Sequence, residues 1–221
     1  MKKAFTLGEV LITLAIIGVI AIITIPSMYS NYTDQERISR AKKGYATLAN
    51  AMTMVKTWGG DYIFDVQDGS NENMEEWYEE YLKPNLQIIK TCYNKAGCWN
   101  EENTKNLSGV NAAYNRKGIG VGSNIITAVM SDGTMINIDA YSSNDIWRYF
   151  GVDLDTVSGI ALFFDINGAK KPNTIGKDIF ITVFTEDGLV PAYRDMNANK
   201  VLSDCSSKGT GYSCLRIYLK K

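Results

Sequence analysis

Between Val10 and Tyr32 the chain carries no charged side chain, and most of that run is Ile, Leu, Val and Ala. About 20 consecutive apolar residues can span a bilayer as a helix, which satisfies every backbone polar group internally. The stretch Phe5 to Met28 meets that length. One residue does not fit it: Glu9 stands at the mouth of the run, and the next charged residue is Asp34. A carboxylate at the edge of hydrocarbon is costly unless it finds a partner.

Three readings compete for this terminus. A cleaved secretory signal would need a basic start, a short apolar core and a small-residue cleavage site. Lys2 and Lys3 supply the first, but no A-x-A-like site follows, and the exit reads IPSMYSNY. A plain anchor would keep Lys2 and Lys3 in the cytoplasm, although Arg37, Arg40, Lys42 and Lys43 beyond the span weaken that asymmetry. Neither gives Glu9 a purpose. The third reading rests on the segment AFTLGEVLITLAIIGVI, residues 4–20, which closely resembles the class III signal of type IV pilins and type II secretion pseudopilins.

That resemblance implies that a prepilin peptidase removes residues 1–4 by cutting between Ala4 and Phe5, then methylates the new terminus at Phe5. Glu9 matches the family's assembly glutamate, which meets the N-terminal amine of a neighbouring subunit. Opposite charges in low dielectric attract strongly, and each relieves the other's desolvation. Pro26 matches a proline common in the family's helix, where it removes a hydrogen bond and kinks or loosens the helix. Two positions depart from the pattern: Ala4 stands where glycine is usual, and Gly8 where a bulky aliphatic residue precedes the glutamate.

Beyond the span, Ile38, Ala41, Tyr45, Leu48, Met52 and Val55 recur at steps of three and four, the spacing of an amphipathic helix. Gly59-Gly60 is a plausible stop. A single helix from Phe5 to Trp58 would be about 80 Å long at about 1.5 Å per residue. The expected organisation is residues 1–4 as leader, 5–30 as membrane and assembly helix, 31–58 as its amphipathic continuation and 59–221 as a head.

In the head, EEWYEEYLKP reads as a short acidic helix ended by Pro84, with Glu75, Glu76, Glu79 and Glu80 on a solvated face. NIITAVM and TMINIDAY flank a Ser131-Asp132-Gly133 turn and predict a hairpin. GIALFFDI, DIFITVF and LVPAY predict further strands, and CLRIYLK an edge strand. The fold class expected is α+β: a long N-terminal helix packed on an antiparallel sheet, as in pilins. The loop DINGAKKPNTIGKD resembles a stretch found in large pilin-like proteins, carried here by Asp165, Asn167, Gly168, Pro172, Asn173, Gly176 and Asp178. Asx side chains bonding nearby backbone account for such a turn.

The four cysteines fall into close pairs, Cys92 with Cys98 and Cys205 with Cys214. The spacings are loose for zinc, and a head outside the cytoplasm favours disulfides within each pair, although four cysteines permit three pairings. Calcium is a candidate in DMNANKVLSD, where Asp195, Asn197, Asn199 and Asp204 resemble the start of an EF-hand-like loop. That stretch lacks the sixth-position glycine and the twelfth-position glutamate, and otherwise no cofactor is called for. Asp165, Asn167 and Asp178 form a second oxygen set.

Histidine is absent, which removes the commonest general base. No G-x-S-x-G or P-loop occurs, and GIGVGSN at 118–124 is a weak glycine signal. The net charge of -1 invites no nucleic acid. The leading expectation is therefore a structural, non-enzymatic subunit of a pilus-like filament in the bacterial inner membrane, single-pass with its N-terminus cytoplasmic, or on the cell surface. Its partners are the prepilin peptidase and other pilin or pseudopilin subunits. The alternatives are an adhesin or ligand-binding head on the same stem, with Trp77, Tyr78, Trp99 and Trp147 as contact aromatics, and a carboxylate-based hydrolase.

Overall fold

The computed structural model describes residues 6–59, 71–112 and 125–220. The chain divides into two units, Met1–Ser39 and Arg40–Lys221. Helix α1 (Leu7–Gly59) contributes to both.

Among the described residues of the first unit, the apolar side chains of α1 are mostly exposed. Leu11, Ile12, Leu14, Ile16, Ile17, Val19, Ile20, Ile22, Ile23 and Ile25 are each more than half exposed. At its polar end, Arg37 pairs with Asp34 one turn back.

The second unit is an α+β domain built on a six-stranded antiparallel meander, β1 (Ile88–Tyr93), β2 (Ile126–Met130), β3 (Met135–Ser142), β4 (Ser158–Asp165), β5 (Ile179–Thr185) and β6 (Gly188–Pro191), each strand pairing with the next. The predicted hairpin forms with Val129 opposite Met135, and Asp132 accepts the Thr134 N–H across its turn. Strand β1, which the sequence reading did not include, pairs with β2 through a bulge between Ile88 and Lys90.

Both faces of the sheet are covered, which is why β4 and β5 are buried at every residue and read as continuous apolar runs rather than alternating ones. On one face Ala41, Leu48, Met52 and Val55 of α1 join Ile136, Ile138, Leu162, Phe164 and Phe180 in one core. The close fit depends on Gly44: a β-carbon there would stand 2.9 Å from the Phe164 ring. Polar ties flank this packing, with the Tyr45 hydroxyl donating to the Leu189 carbonyl at 2.7 Å and Lys43 bridging to Asp132 at 3.1 Å. The other face carries a second core of Ile146, Phe150, Phe163, Ile181, Val183 and Tyr212. There, a helical segment, α3 (Ser143–Asp145) continued by a π-helical turn Ile146–Phe150, covers the strands, with the Phe150 ring edge-on to Phe163 at 5.7 Å.

The acidic segment folds as α2 (Asn71–Trp77) followed by a π-helical turn (Tyr78–Leu82) and a 3-10 turn (Lys83–Asn85) that contains Pro84. Trp77, Tyr78 and Leu82 are buried, while Glu76, Glu79 and Glu80 face solvent. Two short helices complete the unit, α4 (Ala198–Asp204) and α5 (Cys214–Tyr218). The second corrects the expected edge strand at CLRIYLK. Alternation and helical spacing coexist in so short a run, and burial decided: Leu215 enters the core, Tyr218 and Leu219 pack against it, and Arg216 donates to the Tyr193 and Met196 carbonyls.

Candidate functional site

Ala4 and Phe5 lie outside the described residues. The segment that follows begins with a reciprocal cap. Glu9 Oε2 accepts the Thr6 N–H at 2.9 Å and the Thr6 hydroxyl at 2.9 Å, while Thr6 Oγ1 accepts the Glu9 N–H at 3.3 Å. This is a capping box, in which a threonine and a glutamate three residues on satisfy the orphan donors of a helix start. The signal for it is local, the T-L-G-E pattern of residues 6–9. The carboxylate therefore has a local ligand, and it also favours the positive end of the helix dipole.

From Leu7 to Ile25 the helix is long and apolar enough to cross a membrane, a test that a signal sequence near the N-terminus also passes. Thr13 and Thr24 hide their hydroxyls by donating to the Val10 and Ile20 carbonyls, which keeps the surface of the run apolar. Pro26 falls within α1, where the helical run is continuous. Having no N–H, it leaves the Ile22 carbonyl without its usual intrahelical donor.

In the second unit both disulfides link neighbours in sequence, Cys92 to Cys98 with Cα atoms 5.8 Å apart and Cys205 to Cys214 at 5.0 Å. The second closes the turn between α4 and α5. That turn lies so close to the segment before β5 that a β-carbon at Gly211 would stand 2.3 Å from the Ile175 carbonyl oxygen.

The four residues of the calcium reading at 195–204 take separate roles. Asp195 accepts from Arg194 and from the Asp153 N–H at 2.8 Å. Burial alone would raise its carboxyl, but these bonds outweigh it and hold the group below its ordinary value. Asn197 is the N-cap of α4, accepting the Lys200 N–H at 2.9 Å, and Asn199 is exposed on that helix. Asp204 clasps the disulfide turn through the Thr210 and Ser213 N–H groups. The stretch is a capped helix rather than a loop with converging oxygens. Among the described residues no three or more His, Cys, Asp or Glu side chains are placed as a metal-binding group.

The DINGAKKPNTIGKD loop instead brings its two aspartates inside. Asp165 is fully buried and Asp178 nearly so. Asp165 accepts from Asn100 Nδ2 at 2.5 Å and the Asn167 N–H at 3.0 Å. Asp178 accepts the Thr174 and Asn173 N–H groups at 2.6 and 2.7 Å and Asn167 Nδ2 at 3.2 Å. Asp165 with the Asn167 N–H makes the expected Asx turn, whereas Asp178 reaches back to backbone four and five residues before it. Burial first, and then the Asp178 charge, push the Asp165 carboxyl up to about 8. Burial also raises Asp178, against the donors it accepts. Asn100, which lies 65 residues away in sequence, carried no signal that it would join them.

Asp153, Asp155, Glu186 and Asp187 line a cleft of about 50 Å³ together with Arg194, which also pairs with Asp195. Trp77, Tyr78 and Trp99 are core, whereas Trp147 is 46% exposed. The glycine-rich GIGVGSN lies outside the described residues. No family model, curated protein or solved structure matches the chain.

Proposed function

We propose that this chain is a structural subunit of a pilus-like filament, of the type IV pilin or type II secretion pseudopilin kind, rather than an enzyme. The observation that carries the reading is the run Leu7–Ile25: an apolar helix with exposed side chains whose only charge, Glu9, stands at its start. Such a surface is buried by lipid or by copies of itself, and a lone carboxylate is what a neighbouring amine would recognise. In this reading the prepilin peptidase cuts before Phe5, methylates it, and leaves the chain in the bacterial inner membrane with its N-terminus cytoplasmic. The head then faces an oxidising compartment, which agrees with two disulfides. On assembly the Glu9 carboxylate meets the Phe5 amine of the next subunit while Thr6 holds it at the helix start.

A second reading, a ligand-binding head on the same stem, draws on the exposed Trp147, Tyr149 and Val157. Mass spectrometry of protein from its native membrane tests the first: the expected N-terminal peptide begins at N-methylated Phe5. A chain beginning near Ser30 would make the apolar run a secretory signal, and an intact Met1 would leave only an anchor.

A further inference from the structure

We propose that the groove between α4 and α5 of one copy of this chain receives the acidic loop 153–157 of the next copy, with Val157 on its apolar floor and Asp153 and Asp155 against Arg216 and Lys220. The inference rests on the filament reading and names a contact between heads within such a filament. The groove has a volume of about 290 Å³ and is lined by Ala198, Val201, Leu202, Arg216, Ile217 and Lys220. Leu202 is 62% exposed beside the buried Val201, so the lining offers apolar surface to a partner.

A second observation, on different atoms, gives the groove its sign. Arg216 donates from Nη1 to the Tyr193 and Met196 carbonyls, the latter at 2.8 Å. These bonds hold the guanidinium in place, and among the described residues no hydrogen bond uses its Nε or Nη2. Nor does Arg216 or Lys220 form an ion pair with any described residue. Asp195, a carboxylate that feels the Arg216 charge, is bonded to Arg194. An arginine held by main-chain carbonyls beside apolar surface is ready to take a carboxylate, and its planar fork loses little freedom in doing so.

The rest of the head's surface selects the occupant. Among its other exposed apolar side chains, Met54 and Trp58 flank Lys56, Ile89 adjoins Lys90, and Trp147 and Tyr149 flank Arg148, while Val110 has no charged residue within three positions. Val157, 66% exposed, stands instead in acidic surroundings. Asp153, Asp155 and Thr156 precede it and line one cleft with Glu186 and Asp187. Arg194, the cation of that cleft, pairs with Asp187 and Asp195, whereas Asp153, Asp155 and Glu186 form no ion pair with any described residue. One patch is thus apolar with unpaired cations, and the other apolar with unpaired carboxylates. Complementary patches at two places on one chain make a heterologous contact, which can propagate into an open filament where a self-complementary patch would close as a dimer.

The test uses the full chain assembled as filaments, which are sheared and pelleted. A chain carrying both Val157→Cys and Leu202→Cys should give a ladder of disulfide-linked multimers on a non-reducing denaturing gel after copper–phenanthroline oxidises the two thiols. Either substitution alone should give no ladder. Lys220 and Asp155 are both exposed, so reversing their charge leaves the packing of the head untouched. Lys220→Glu or Asp155→Lys alone should lower the pelleted fraction by about threefold or more, because like charges then meet, and added salt should shrink the defect. The two reversals together should return it to within about twofold of the unmodified chain. Filaments that give no ladder, with no recovery in the double reversal, would overturn the contact and leave the filament reading standing. An unmodified chain that forms no filaments would overturn that reading and this contact with it.

Discussion

The ring of Phe164 occupies the space that a side chain at position 44 would need: a β-carbon built on Gly44 stands 2.9 Å from Phe164 Cε2 and 3.1 Å from Cδ2. Phe164 is fully buried, so its ring has nowhere to go. Gly44→Ala gains about 1 kcal/mol of helix propensity, but overpacking a filled core costs about 1–3 kcal/mol. A net loss is expected, larger for Gly44→Leu. In a double-mutant cycle by urea denaturation, Phe164→Leu should relieve the Gly44→Ala defect. Strict additivity of the two would refute the contact as its cause.

Glu9 caps α1, and the assembly role proposed for it separates from that cap by mutation. Removing one partner of a buried ion pair costs about 3–5 kcal/mol, so Glu9→Leu should cut filament assembly by well over about tenfold while membrane insertion persists. Thr6→Ala removes only the cap, a loss of about 0.5–2 kcal/mol, and should reduce assembly far less. Pelleting of sheared filaments beside a membrane-fraction blot measures both. Normal assembly of Glu9→Leu would leave the glutamate as a cap alone.

The two disulfides should differ in worth. Short loops gain modestly from closure, about 2–3 kcal/mol. Replacing Cys205 and Cys214 together by alanine should nonetheless cost more than replacing Cys92 and Cys98. The turn of the former pair carries the Asp204 clasp and the Gly211–Ile175 approach, so loosening it exposes packed backbone. Non-reducing peptide maps should return both local pairs, and equal thermal losses for the two double variants would contradict this ranking.

Stability should fall with rising pH over an unusual window for a carboxyl. Native Asp165 holds its proton up to about pH 8, whereas its ordinary value is 3.8. Between those values the native state binds the extra proton, so the contribution is complete below the lower value and lost as pH rises through the upper one. The raised Asp178 acts in the same direction. Melting temperatures across this range should decline in the unmodified protein and flatten in Asp165→Asn. An unchanged slope in that variant would assign the decline elsewhere.

Much of the fold was legible wherever a pattern ran long enough for only one element to satisfy it. The apolar run and the three-four spacing from Ala41 to Val55 each determine a helix, and the continuous runs GIALFFDI and DIFITVF, bounded by turns, determine strands. Short segments were not legible, because local preference in five or six residues is too small to outweigh packing. IIKTCY became an edge strand although Ile89 is 69% exposed, because β2 offered it hydrogen bonds. CLRIYLK alternates like a strand but became helix, because a disulfide, Arg216 and a place in the core for Leu215 favoured it. DMNANKVLSD has alternating oxygens, yet the first of its asparagines caps a helix and the aspartates point to different partners.

What the sequence by itself determined is the N-terminal chemistry, a long apolar helix with one carboxylate at its mouth, because hydrophobic length and local capping need no distant contact. What only the tertiary structure decided is the interior of the head. The meeting of Asp165 and Asp178 with Asn100, like the seat of Gly44 on Phe164, joins residues dozens to more than a hundred positions apart. No local pattern encodes such a meeting, because it is selected by how closed layers pack rather than by what any one segment prefers.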